Sequence, residues 1–136
     1  MFADALASAT AETIRTEFGG LISDADAAVL SGPLAEYIAH TTRASVTTGI
    51  WGWIDDDVAC LSGWGFKLDA IGCPTTIWQG REDRFVPPAH GEWLAAHIPG
   101  ARFEFRPDDG HLSLAVSTYG DVLDGLLRDD HTDSRT

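Results

Sequence analysis

The amino-acid sequence predicts an α/β fold in which a helical N-terminal half is followed by a strand-helix-strand-helix unit. Up to residue 62, apolar residues recur at helical spacing between short signals of Gly, Ser and Pro. After Pro74 the pattern changes to short runs rich in β-branched and aromatic residues, which are typical of strands. We therefore expect a helical region at 1–62, an α/β portion at 63–128 and a disordered tail at 129–136.

The first two helices of the N-terminal half are bounded by recognisable caps. The first is expected over residues 2–18 and ends at Gly19-Gly20, because glycine tolerates the left-handed conformation of a helix C-cap. The second begins after Ser23, whose hydroxyl can accept a hydrogen bond from the amide of Asp26, and it ends at Ser31-Gly32.

Two further helices complete this half. Pro33 can open the third helix, since a proline at the first helical position loses no hydrogen bond. Its apolar positions are Leu34, Tyr37 and Ile38. The fourth helix is expected from about residue 50 to residue 61, where a Gly-rich stretch ends it.

The α/β portion is expected to contain a βαβ-like unit. Its first strand covers residues 75–79 and is cut off by Gly80. A helix then opens at Pro87-Pro88 and stops at Pro99-Gly100. The second strand, residues 101–106, alternates two phenylalanines with charged residues, as at a sheet edge with one buried face and one wet face.

A last helix is expected over residues 113–128. It carries apolar residues at positions i, i+3, i+4, i+7 and i+8, a stripe that should face the core. The residues of this stripe are Tyr119, Val122, Leu123, Leu126 and Leu127.

Composition narrows the partners and the compartment. Nine basic and 21 acidic residues give a formal net charge of −12, which disfavours nucleic acid and anionic membranes because both require clustered Lys and Arg. No apolar stretch approaches the roughly 20 residues of a membrane span, and no basic segment precedes an apolar run at the N-terminus, so a cytoplasmic protein is expected. Cys60 and Cys73 lack CxxC spacing and lie among apolar residues, which favours buried free thiols in a reducing compartment.

Two stretches carry residues suited to a catalytic acid and base. Asp83 lies within residues 80–87 (GREDRFVP), after the first strand, and His111 follows Asp109-Gly110 after the second. Ligands of open α/β sheets bind at the carboxyl ends of strands, so we expect Asp83 and His111 to meet there. A serine hydrolase uses an imidazole to move the serine proton and a carboxylate to orient that imidazole.

These residues carry a resemblance to a known family. The stretch PTTIWQGREDRFVP, residues 74–87, resembles the acid-bearing strand and loop of the α/β-hydrolase fold family, and Asp109-Gly110-His111 resembles its histidine loop. The resemblance covers residues 64–127 and implies a partial α/β-hydrolase fold with the first six strands of the sheet missing. It also implies that 1–62 is like the helical cap of many members, and that Asp83 and His111 are the acid and base of a triad.

The nucleophile of such a triad is not recognisable. No Gly-x-Ser-x-Gly elbow occurs in the sequence. Ser62 has no strand before it and Ser113 lies two residues after His111, so both are expected to be cap or surface hydroxyls. The serine and the oxyanion hole are therefore expected outside this chain.

Acidic clusters raise the alternative of a metal site. The run at 55–57 has no spaced oxygen ligands after it, so a solvated cluster is expected. Asp108 and Asp109 beside His111 would be the ligands of a metal-dependent hydrolase, but no HxH or HxxxH spacing accompanies them. We expect neither a metal nor a cofactor.

Aromatic residues are dense where the helical region ends, and core packing is their ordinary role. By the resemblance, some apolar residues would also wall a substrate pocket over the acid and base, since ligand sites are mostly apolar clefts. The candidates are Trp51, Trp64, Phe66, Phe85 and Val86.

Two functions follow as hypotheses. The first is a hydrolase of ester or amide bonds to which this chain supplies the acid and the base. The alternative is a catalytically inactive, truncated fragment that acts as a binding or association module. The strand at 75–79 is apolar on both faces and would expose an unpaired edge, which self-association or a partner chain that completes the sheet would cover.

Overall fold

A computed structural model describes residues 2–129 of the chain, with side chains for residues 3–127. The N-terminal half is helical and the second half contains both strands of the described residues, as the sequence predicts. The predicted disordered tail falls, apart from Asp129, outside the described residues. The helices and strands are, in chain order, α1 (Phe2–Ala7), α2 (Ala11–Phe18), α3 (Asp24–Val29), α4 (Pro33–Ser45), α5 (Trp51–Leu61), β1 (Thr76–Gly80), α6 (Pro88–His97), β2 (Arg102–Arg106) and α7 (His111–Asp129).

The chain divides into two compact units. One comprises the described residues up to Gly19 together with Leu30–Phe66, and we call it the helical unit. The other comprises Gly20–Val29 together with the described residues from Lys67 onward, and we call it the α/β unit. The segment 20–29, which the sequence assigns to the helical region, therefore belongs to the same unit as the strands, and its helix α3 contacts α7.

The prediction of a single helix over residues 2–18 is wrong, because non-helical residues separate α1 from α2. Thr10 caps α2: its hydroxyl accepts from the amide of Thr13, 3.1 Å away, and the Thr13 hydroxyl accepts from the amide of Thr10 at 2.7 Å. This reciprocal cap satisfies amides that would otherwise lack partners at a helix start. The predicted stop is confirmed, since Gly19 is the C-cap of α2 with φ of +36°.

The helix α4 begins at Pro33 as predicted, and its buried residues are two alanines. Ala35 and Ala39 are fully buried, whereas Tyr37 is 64% exposed. The helix α4 packs against α1 and α2, and its fully buried residues are small, while the larger tyrosine lies on the exposed side.

The helix α5 buries none of its side chains. The expectation of buried thiols is therefore wrong: Cys60 on α5 and Cys73 before β1 are both exposed, although both are free as predicted. Apolar neighbours in the sequence predict burial only where another element covers them.

Both thiols should react in the native protein. Titration of the folded chain with a chromogenic disulfide reagent should release two equivalents without denaturant, because thiol reactivity requires access. A single equivalent in the native state, rising to two only in denaturant, would contradict the exposure of Cys60 or Cys73.

In the α/β unit, β1 and β2 pair in parallel with α6 as the crossover, which confirms the predicted βαβ unit. Thr76 lies opposite Arg102 and Gly80 opposite Arg106. The helix α6 packs on both strands, and at Gly91 a β-carbon would lie only 2.7 Å from Oε1 of Gln79. The carboxyl ends of the two strands consequently lie side by side, where the loops that follow them meet.

The core-facing role predicted for the stripe on α7 is wrong for most of its residues. Tyr119, Leu126 and Leu127 are 68%, 60% and 62% exposed, whereas the buried side chains among residues 111–127 of α7 are those of Ser113 and Thr118. The paired strands have only five residues each, so they are shorter than the 19-residue helix and cannot cover its whole length. Within residues 2–129, no helix is both long enough and apolar enough to cross a membrane.

Candidate active site

The loop after β1, residues 81–87, is organised by Asp83, and we call it the acid loop. The Oδ1 atom of this buried carboxylate accepts hydrogen bonds from the amides of Phe85 at 2.9 Å and Val86 at 2.8 Å, which closes a tight turn. Gln79, the penultimate residue of β1, donates from Nε2 to the carbonyls of Gly80 and Val86, both at 3.1 Å. Both ends of the loop are thereby tied to the strand.

The second oxygen of Asp83 is left for His111. Its Oδ2 lies 3.0 Å from Nδ1 of His111. An ionised carboxylate can only accept, so Nδ1 is the donor, and the lone pair of the neutral ring is on Nε2. The turn-forming role and the histidine-orienting role of Asp83 thus use different oxygens and do not compete.

His111 is the first residue of α7 and presents its ring at the surface. The side chain of His111 is 43% exposed, compared with 5% for that of Asp83. The ring of Phe85 packs against the imidazole, with 5.0 Å between the ring centroids. A buried carboxylate is therefore hydrogen-bonded to Nδ1 of an imidazole that is almost half exposed, an arrangement suited to a general base.

Backbone hydrogen bonds join the acid loop to residues 107–111, which lead from β2 to the first residue of α7 and which we call the histidine loop. The amide of Glu82 donates to the carbonyl of Asp109 at 2.9 Å, and the amide of Arg81 donates to the carbonyl of Arg106 at 2.9 Å. Gly80 fits where no side chain could: a β-carbon there would collide with the carbonyl oxygen of Asp109 and lie 2.6 Å from that of Gly110. Close backbone approach is an ordinary reason for glycine at such a position.

A second carboxylate, that of Asp26 on α3, accepts hydrogen bonds from the end of the histidine loop and the first turn of α7. Its Oδ2 accepts from the amide of His111 at 3.0 Å, and its Oδ1 accepts from the amides of Leu112 at 2.8 Å and Ser113 at 2.9 Å. The hydroxyl of Ser113 donates to Oδ1 at 3.0 Å and accepts from the amide of Gly110 at 2.7 Å. Asp26 is completely buried and satisfies three of the four amides that an α-helix leaves without partners at its start.

Sequence reasoning missed this role of Asp26. It placed Asp26 only as the donor to Ser23, and that bond is present at 3.2 Å. The partners of the carboxylate lie 85 to 87 residues further along the chain. Nothing local in the sequence distinguishes Asp26 from the exposed Asp24 two residues earlier.

The surroundings of Asp26 favour its charged form. Burial alone would raise the pKa of this carboxyl, but the amides of Ser113, His111 and Leu112 and the hydroxyl of Ser113 outweigh burial and hold the pKa below the ordinary value of 3.8. Because the folded-state pKa is depressed, the ionised group stabilises the fold at pH values above about 4, and this contribution is lost as the pH falls through the folded-state pKa.

A pH-dependent loss of stability follows. The wild-type chain should lose more of its free energy of unfolding between pH 5 and pH 3 than Asp26→Asn, whose side chain cannot titrate. Urea denaturation at both pH values measures the two differences. Asp24→Asn is the matched control, since it removes an exposed carboxylate from the same helix. Equal losses in wild type and Asp26→Asn would contradict a stabilising, ionised Asp26.

The other predicted site residues are distributed over both units. In the α/β unit, Phe85 and Val86 lie in the acid loop, next to His111 and Asp83. In the helical unit, Trp51 is 73% exposed, and Trp64 and Phe66 are 66% and 56% exposed with ring centroids 6.0 Å apart. The pocket role of these five residues stays a prediction.

Serine hydroxyls near the start of α7 and at the end of α5 are hydrogen-bonded to residues other than His111. The hydroxyl of Ser113 is buried in the cluster around Asp26, and that of Ser117 donates to Oδ2 of Asp109 at 2.7 Å. Ser62 donates to the carbonyl of Val58 at 2.6 Å. Both Ser62 and Ser113 thus bond at helix ends, which agrees with the expected cap role, although Ser113 is buried and not at the surface. Within residues 2–129, no three His, Cys, Asp or Glu side chains are grouped closely enough to bind a metal ion.

Fold and site together define a parallel βαβ unit that carries a buried aspartate and a hydrogen-bonded, half-exposed histidine at the carboxyl ends of its strands. The resemblances to curated proteins are short. The chain is 42% identical over 53 residues to a 2-hydroxy-6-oxo-6-phenylhexa-2,4-dienoate hydrolase of Burkholderia cepacia, covering 38% of this chain and 18% of that protein. It is 36% identical over 44 residues to the serine hydrolase BPHL of Mus musculus, covering 32% and 15% respectively.

A third relative is similar over a comparable stretch. It is a 2-hydroxy-6-oxononadienedioate/2-hydroxy-6-oxononatrienedioate hydrolase of Comamonas testosteroni, 40% identical over 53 residues that cover 38% of this chain and 18% of that protein. No family model and no solved structure matches the chain. The matches are thus short similarities to hydrolases, and the matched part of this chain spans less than a fifth of each relative.

Proposed function

We propose that this chain supplies the acid and the base of a Ser-His-Asp hydrolase of the α/β-hydrolase type that cleaves ester or amide bonds. The observation that carries the proposal is the 3.0 Å hydrogen bond between the buried Oδ2 of Asp83 and Nδ1 of His111. It leaves Nε2 as the basic nitrogen of an accessible ring. The names of the short relatives, which are all hydrolases and include a serine hydrolase, support the same reaction class.

In the proposed mechanism, a serine from residues outside this chain attacks the substrate carbonyl while Nε2 of His111 takes the proton from its hydroxyl. The imidazolium then gives that proton to the departing alkoxide or amine as the bond to the acyl carbon breaks. Water attacks the acyl-enzyme in the same way, losing its proton to Nε2, and the serine oxygen recovers that proton as it leaves. Asp83 holds the Nδ1–H tautomer and stabilises the imidazolium throughout.

The experiment that tests this proposal is labelling of lysate from the source cells with a fluorophosphonate, which modifies activated serines. The labelled species is captured with an antibody raised against residues 113–128 and then sized. We expect either one labelled polypeptide longer than 136 residues or a labelled partner chain that is captured together with this one. Capture of this chain without any labelled serine protein would overturn the proposal.

A second candidate function is an association module without catalysis, and two observations favour it. β1 pairs on one side only among the described strands, which leaves backbone groups of its other edge available. The helix α7 also exposes Val116, Tyr119 and Leu126 by more than half. In that case, self-association or a partner strand would cover the edge of β1, and sedimentation of the purified chain would show an oligomer that no serine-reactive probe labels.

A further inference from the structure

The segment 20–29 contacts both loops of the candidate site. Its helix α3 presents Asp26 to the histidine loop, as described above. The acid loop reaches the same segment through Arg84, whose Nη1 donates to the carbonyl of Ile22 at 2.8 Å and to that of Gly20 at 3.4 Å. One short stretch, distant in sequence from β1 and β2, is therefore hydrogen-bonded to the loops that carry Asp83 and His111.

We infer that the segment 20–29 is a strap that positions the Asp83–His111 pair, and that Asp26 is the positioning residue through which it acts on His111. The inference rests on the proposed function, because positioning matters only where His111 moves a proton. Asp26 does not touch the reacting ring. It binds the backbone amide of His111 itself and the next two amides of α7.

The contacts of Asp26 fix the place and direction at which α7 begins. Three consecutive amides and one hydroxyl converge on two oxygens, so a shift of the first turn would break several charge-assisted hydrogen bonds together. The fit is also tight sterically, since a β-carbon at Gly110 would collide with Oδ2 of Asp26 and with the hydroxyl of Ser23. Asp26 therefore holds the backbone of His111, while Asp83 holds its imidazole ring.

The negative charge of Asp26 also lies at the start of α7, where His111 is located. The start of α7 concentrates the positive end of the helix dipole, which opposes a cationic residue there. His111 occupies that position and becomes an imidazolium when it accepts the serine proton. A buried carboxylate at the same helix end offsets the opposition.

The buried polar residues of the described chain fit this role. They are Ser23, Asp26, Gln79, Asp83, Ser113 and Thr118, and all of them belong to the α/β unit. Four of them bind the backbone of the acid loop or of the histidine loop directly. Groups that are costly to bury are thus concentrated around the two loops that hold the pair.

The test compares Asp26→Asn with the exposed Asp24→Asn by nuclear magnetic resonance of the purified chain. Asp26→Asn would turn an amide donor toward one of three converging N–H groups. We expect the amides of His111, Leu112 and Ser113 to exchange about tenfold faster or more, relative to the amides of Ile77 and Phe103 in the strands. We also expect loss of the nuclear Overhauser contact between the rings of Phe85 and His111. Asp24→Asn should leave both signals unchanged.

Ser113→Ala provides the second variant in case Asp26→Asn does not fold. It removes one bond to Asp26 and the acceptor of the Gly110 amide, so that amide should exchange faster and the ring contact should weaken. A ring contact of wild-type intensity in the folded variants, or faster exchange spread evenly over β1 and β2, would overturn the inference. No serine, substrate or turnover enters this test, so its failure is distinguishable from failure of the proposed function.

Discussion

If this chain supplies the acid and the base as proposed, replacing His111 by Ala or Asp83 by Asn should abolish turnover by the complex that contains the chain and its serine. In that mechanism no group takes the serine proton without His111, and the loss should be about 10⁶-fold in kcat. In Asp83→Asn the side chain keeps its shape, but the amide can stabilise the wrong tautomer of His111, and the loss should be about 10⁴-fold. The measurement is hydrolysis of a chromogenic ester by complexes captured from cells that express each variant.

Matched controls separate the chemical effect from a general one. His90→Ala removes an exposed histidine from α6, and Asp108→Asn neutralises an exposed aspartate of the histidine loop. Both controls should retain wild-type turnover. Turnover that is undiminished in His111→Ala and in Asp83→Asn would show that the pair has no catalytic role, whatever the complex does.

Gly80→Ala should strongly destabilise the fold. The added β-carbon meets backbone carbonyls of Asp109 and Gly110, which cannot rotate away as a side chain would. Forcing atoms into a packed site typically costs 1–3 kcal/mol, and a backbone collision belongs at the upper end, so we expect about 3 kcal/mol or more. Because the histidine loop is what must shift, the geometry of Asp83 and His111 should be lost with it.

Urea denaturation of Gly80→Ala and of Gly72→Ala measures this effect. Gly72 is the matched control, since a β-carbon there has open space within 4 Å. Its replacement should change the free energy of unfolding by no more than about 1 kcal/mol. A cost for Gly80→Ala no larger than that of the control would mean that the two loops do not approach as closely as described.

The parts of the fold that the sequence predicts well are those with local signals. Pro87-Pro88 and Pro99-Gly100 bracket α6, and Gly80 closes β1, so the parallel βαβ unit follows from punctuation and strand propensity. The meeting of Asp83 and His111 follows in turn, because both residues come directly after neighbouring parallel strands.

The parts that the sequence does not predict depend on distant partners. The apolar residues of α7 and α5 can be recognised in the sequence, but the sequence does not show whether another element covers them. Tyr119 of α7 and Cys60 of α5 are therefore exposed, contrary to expectation. The break at Thr10 depends on a reciprocal cap with Thr13, where a glutamate or glutamine would be the recognisable signal. The role of Asp26 depends on contacts across more than 80 residues.

The most direct test of the central claim is the protonation of the two ring nitrogens of His111, measured by ¹⁵N-resolved nuclear magnetic resonance of the purified 136-residue chain at a pH where the ring is neutral. If Asp83 orients His111 for catalysis, the proton is on Nδ1 in the wild type, and Asp83→Asn changes the tautomer. A proton on Nε2 in the wild type, or a spectrum that Asp83→Asn leaves unchanged, would contradict the assignment of Asp83 and His111 as the acid and base of a hydrolase.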